Sequence, residues 1–107
     1  MNLLFICSRN QWRSPTAERV FRAYPNVQTR SAGTSPNARH TVSIRDIQWA
    51  DKILVMENKH KARLQAQFAR ALQHKTIIVL DIADEYRYMD EALIEILQDS
   101  VLPLLAE

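Results

Sequence analysis

The chain has 107 residues and a single cysteine, Cys7. One thiol cannot close an internal disulfide, so stapled secreted scaffolds are excluded and a reducing compartment, the cytoplasm, is expected. Long hydrophobic runs are missing as well. The apolar start, Leu3 to Ile6, is too short for a secretory leader and runs straight into Arg9 and Arg13. No stretch approaches the roughly 20 apolar residues of a membrane helix, so no membrane partner is expected. Without repeats, low-complexity tracts or linkers, residues 1–107 read as one domain. Basic residues are not interleaved with aromatics, which argues against nucleic acid as a partner. His40, His60 and His74 lack metal-ligand spacing; they read as surface or packing residues, and no metal or other cofactor is implied. Oligomeric state is left open.

What is present is alternation. Leu3 to Ile6 is a continuous apolar strand, and Pro15 to Tyr24 reads as a helix. Val27 to Ser31 is a shorter, more polar strand. Thr41 to Trp49 reads as helix, Ile53 to Met56 as a second buried strand. His60, Leu64, Phe68 and Leu72 fall at helical spacing. Thr76 to Leu80 is the most β-prone stretch. Leu93, Ile96, Leu97, Val101 and Leu104 form the buried face of a last helix, which Pro103 is expected to bend or end. Strands apolar on both faces, separated by helices, indicate a parallel sheet covered on both sides. The expectation is a small doubly wound α/β fold of four parallel strands in order 2-1-3-4, with the polar strand at an edge.

That order puts a topological switch beside the first strand, where ligands bind at the carboxyl ends of strands. Cys7 ends that strand. Ser31 is expected just after the second strand, Glu57 after the third, and Asp81 and Asp84 after the fourth. Between Cys7 and Ser14 the backbone must curl, and Asn10 is the residue best able to take a left-handed conformation there. Ser14 reads as the cap of the following helix, with Pro15 at its first position. Such a curl aims successive amides inward and forms an anion-binding nest, to which Arg13 adds a planar fork for two oxygens. The same surroundings favour the thiolate of Cys7, a nucleophile aimed at phosphorus. The other arginines of the first half (Arg9, Arg19, Arg22, Arg30, Arg39, Arg45) suit an anionic substrate or simply form a solvated basic face. Between Asp84 and Asp81 as general acid the spacing does not choose. Glu57 reads as structural, a helix cap or a partner for a basic residue.

The segment "CSRNQWRS" resembles the phosphate loop of the low-molecular-weight protein tyrosine phosphatases, a cysteine, five residues, then Arg-Ser, opening a helix with Ser-Pro. "RSAGTSP" at Arg30 to Pro36 is similar to that family's Ser-Ala segment, "DKILVME" at Asp51 to Glu57 to its third strand, and "DEY" at Asp84 to Tyr86 to its Asp-Pro-Tyr. The loop and the later "DIAD" are also similar to the cysteine phosphatases that act on the RNA polymerase II tail. The resemblance implies a phosphotyrosine protein phosphatase I-like fold and a phosphomonoester hydrolase, a protein tyrosine phosphatase working through phosphocysteine. Cys7 is then the nucleophile, Arg13 the oxyanion partner and Asp84 the acid. Ser8, Arg9, Asn10, Gln11, Trp12 and Ser14 form the phosphate and substrate contacts. Ser14 hydrogen-bonds the sulfur, and Ser31 and Asn10 hold the loop in shape. Trp12 and Tyr86 either wall the cleft or pack over the loop. The implied substrate is a phosphorylated protein or a small aryl phosphate.

Departures from the family pattern are visible. Arg9 and Trp12 stand where the family has a glycine and a second cysteine, Glu85 replaces the proline, and the chain is shorter. An arsenate reductase would need further cysteines for its disulfide relay, and there are none. A non-catalytic module that keeps the cradle to bind an oxyanion or a phosphoprotein is the other reading.

Overall fold

Leu3, Leu4, Phe5 and Ile6 are all buried, although alternate residues of a strand point to opposite faces. Both faces of this strand must therefore be covered, and the surrounding elements do so. The computed structural model describes residues 1–106. In chain order the elements are β1 (Asn2–Cys7), α1 (Arg13–Phe21), β2 (Gln28–Gly33), α2 (Ile44–Trp49), β3 (Lys52–Val55), α3 (Asn58–Phe68), β4 (Thr76–Val79) and α4 (Glu91–Leu105). The strands form one parallel sheet in the expected order, β2-β1-β3-β4. On one face Leu3, Phe5 and Cys7 pack with Phe21 of α1 and Leu93, Leu97 and Val101 of α4. On the other, Leu4 and Ile6 pack with Ile47 of α2 and Leu64 of α3. Each such fully buried aliphatic or aromatic side chain contributes about 1.5–3 kcal/mol, so β1 is anchored from both faces.

Four local expectations are corrected. α1 begins at Arg13, with Trp12 at its N-cap and no side-chain cap. Ser14 is thus the second helical residue, and its hydroxyl is taken by tertiary partners instead. Pro15 sits third, where the missing N–H still costs nothing, because the first intrahelical bond runs from Thr16 N–H to Trp12 O at 3.1 Å. α2 begins at Ile44 rather than Thr41, because Ser43 and Asp46 form a reciprocal capping box. Ser31 lies inside β2, which continues to Gly33, and not in the loop after it. Pro103 falls within α4, which carries on to Leu105 and is not ended there. Among the described residues no helix is long and apolar enough to cross a membrane.

Candidate active site

β1 ends at Cys7, and the chain then curls through Ser8 to Trp12 before α1. The turn is made possible by Asn10, whose φ of 53° lies in the left-handed region that asparagine tolerates. Its outer edge is fastened. Thr34, Ser35 and Arg39 donate their N–H groups to the carbonyls of Cys7, Ser8 and Arg9 at 3.0, 2.9 and 3.0 Å. With those carbonyls drawn outward, the N–H groups of Ser8 to Trp12 have no protein acceptor among the described residues. Gly33 makes this close approach possible. A Cβ there would stand 2.5 Å from Ser8 O and 3.0 Å from Asn10 N. The result is a ring of unpaired donors beside a helix N-terminus, the geometry of an anion nest.

Beneath the loop is a chain of buried polar contacts. Ser14 Oγ lies 2.9 Å from Cys7 Sγ. Asn10 Nδ2 donates to both Ser14 Oγ and Ser31 Oγ at 2.9 Å, and Ser31 Oγ donates to Glu18 Oε1 at 2.7 Å. Asn10 and Ser14 are therefore under the loop rather than on the cavity wall. Ser14 also points to Ala32 O at 3.4 Å. Its one hydroxyl hydrogen can serve either that carbonyl or the sulfur, so the hydroxyl can swing to a thiolate without any backbone movement.

The end of β3 supplies a clamp, with Glu57 at the N-cap of α3 and paired with Arg13, the two structural roles read for it from the sequence. Arg13, only 2% exposed, donates through Nη1 to Glu57 Oε1 at 2.5 Å and to Ile82 O at 2.7 Å. The hydrogen bond from Arg13 holds the Glu57 carboxyl below its ordinary range. Three residues on, His60 is buried, the packing alternative of the two read from the sequence. Its Nδ1 accepts from the Glu57 N–H at 3.0 Å, which leaves the proton on Nε2 to donate to Ser8 Oγ at 2.8 Å. Burial, and then the Arg13 charge, push its pKa down to about 4, so the ring is neutral near pH 7. One helix start thus fixes both Arg13 and Ser8. Histidine at the third helical position carries no sequence signal of this role; only the fold brings it to the loop. His40 instead accompanies Asp46, at 2.9 Å, and His74 is exposed.

The segment after β4 crosses over the loop. Ile82 N–H donates to Met56 O at 2.8 Å while its own carbonyl receives Arg13. Farther along, Met89 N–H donates to Thr16 Oγ1 at 2.9 Å, fastening the segment to α1. Thr16 is a second positioning residue absent from the sequence reading. Asp84 Oδ1 comes within 3.6 Å of Arg13 Nε. Cys7, Ser8, Arg9, Gln11, Trp12, Arg13 and Asp84 together line a cavity of about 260 Å³. Asp81, in a left-handed turn with φ 59° and exposed, does not line it. Neither does Tyr86, which packs against the α1–α4 core cluster. Trp12 is on the wall, with the Arg87 guanidinium 5.8 Å from its ring centre.

Comparison with known proteins agrees with this architecture. No protein-family model matches the chain. The protein-arginine-phosphatase of Bacillus subtilis (strain 168) is 30% identical over 97 residues, an alignment covering 65% of this chain and 65% of that protein's length. A low-molecular-weight protein tyrosine phosphatase from T. tengcongensis superposes with a TM-score of 0.79 at 22% identity, covering 99% of this chain and 98% of that one. The YwlE arginine phosphatase from Geobacillus stearothermophilus gives 0.76 at 22% identity, with 98% and 92% covered. The chain has the fold of the low-molecular-weight protein tyrosine phosphatases.

Proposed function

We propose that the chain is a cysteine-dependent phosphatase acting on phosphorylated protein in the cytoplasm, through a phosphocysteine intermediate. The observation that carries this is the convergence of Cys7, Arg13 and Asp84 on one cavity, with Ser14 Oγ 2.9 Å from the sulfur. In this reading the Cys7 thiolate attacks phosphorus in line, and the P–O bond to the leaving group breaks. The unpaired loop N–H groups and Arg13 stabilise the charge on the equatorial oxygens. Asp84 gives its proton to the leaving oxygen and then, as carboxylate, takes one from the water that releases orthophosphate. Ser14 turns its hydroxyl from Ala32 O to the sulfur, easing both attack and departure. Asn10, Ser31, Glu57, His60 and Thr16 hold the parts in place.

A non-catalytic binding module would need the nest but has no use for a carboxyl beside Arg13 on the far wall, so the placement of Asp84 supports hydrolysis. The leaving group is a tyrosine oxygen on the sequence resemblance. A second reading, phosphoarginine, is supported by the name of the curated relative, and the same acid would protonate nitrogen. The decisive experiment is turnover of an aryl phosphate and of matched phosphotyrosine and phosphoarginine peptides. Wild type is expected to hydrolyse at least one without added metal, and Cys7→Ser none. Phosphate binding with no turnover of any of them would leave the binding module.

A further inference from the structure

Resting on the phosphatase reading, we infer that a groove along α3 receives the polypeptide flanking the phosphorylated residue, and that it selects acidic side chains there. The groove, about 610 Å³, begins at Ser8, which also lines the Cys7 cavity, so the two adjoin at that residue. Pro36 and Asn37 of the β2–α2 connection line it together with Lys59 and Arg63 of α3. The two cations are four residues apart and share a helix face. Ala62 and Ala66 keep the surface between and beyond them low, as an extended backbone requires.

Charge decides what kind of segment fits. From Asn58 to Leu80 the chain has no aspartate or glutamate, while Lys59, Lys61, Arg63, Arg70 and Lys75 are all basic. Lys59 reaches Glu57 at 3.8 Å, but that carboxylate already holds Arg13 at 2.5 Å. Arg63 has no ion pair among the described residues. The run from Lys59 to Ala66 is roughly 10 Å long, room for about three extended residues. A small phosphate ester held in the Cys7 cavity would not reach it. The groove therefore separates a protein substrate from a metabolite, and an acidic neighbourhood from a basic one.

The test uses fluorescein-labelled phosphotyrosine peptides flanked on both sides by glutamates or by lysines, with binding to the Cys7→Ser protein read by anisotropy. The acidic peptide is expected to bind about tenfold tighter at low salt, an advantage that shrinks as salt is raised. Arg63→Glu should erase that advantage while wild-type-like aryl phosphate turnover persists in the otherwise native enzyme. Equal binding of the two peptides, binding of neither, or an undiminished preference in Arg63→Glu would overturn the groove. Absence of turnover of the aryl phosphate and of both phosphopeptides in wild type would count against the phosphatase reading alone, since the peptide preference is measured without catalysis.

Discussion

Acidification should weaken the fold through one ring. His60 is held neutral, with its pKa depressed from 6.5 to about 4, first by burial and then by the Arg13 charge. The sign follows from which state binds the proton. Between pH 6.5 and about 4 the unfolded chain protonates this histidine and the folded one does not. Stability from this group is thus fully present above pH 6.5 and is lost as pH falls toward 4. The depression corresponds to about 3 kcal/mol at most, and screening from the groove beside the ring brings the expected loss to about 2 kcal/mol. Glu57, whose carboxyl is held low by Arg13, adds a loss in the same direction at more acid pH. Glutamine at position 60 does not titrate here and is the residue type that reaches back to an N-cap N–H. Urea unfolding of wild type and His60→Gln, compared between about pH 7.5 and 4.5, isolates the ring. Wild type should lose about 2 kcal/mol more than the variant over that range. Parallel pH profiles would refute the buried neutral histidine.

Asp84→Asn should slow aryl phosphate turnover by about 10²-fold or more, whereas Asp81→Asn, outside the cavity, should change it little; the reverse order in steady-state kinetics would reassign the acid. Arg13→Lys keeps the charge but loses the fork that joins Glu57, Ile82 O and Asp84, and kcat/KM should fall by about 10²–10³. Gly33→Ala would push a Cβ to 2.5 Å from Ser8 O and 2.6 Å from the Ala38 Cβ. It is expected to displace the loop and raise KM and the inhibition constant for orthophosphate together, while Asn10 keeps its left-handed turn. An unchanged inhibition constant would show that the loop does not need this contact.

The sheet was legible because its information is local. Leu3 to Ile6 and Ile53 to Met56 are apolar at consecutive positions, which only a strand covered on both faces explains, and Gln28, Thr29 and Arg30 mark β2 as an edge. The loop was legible because Cys7, Asn10, Arg13 and Ser14 act within eight residues of one another. What escaped was set by contacts across the fold. Ser-Pro reads as a helix cap until the hydroxyl of Ser14 is seen spent on Cys7 and Asn10. His60 lies 52 positions from Ser8, and Thr16 lies 73 from Met89, so neither pairing leaves a periodic or spacing signal. Of the two outcomes expected at Pro103, ending is excluded, since the helix continues to Leu105. There the lost N–H falls in the last turn, where little helix remains to be broken.

The most direct measurement is rapid acid quench of the enzyme during turnover of an aryl phosphate, followed by mass spectrometry of its peptides. One phosphoryl group should appear on the peptide containing Cys7, and should be missing in Cys7→Ser. Turnover with no adduct at Cys7, or sustained turnover in Cys7→Ser, would contradict a sulfur nucleophile at the floor of this cavity.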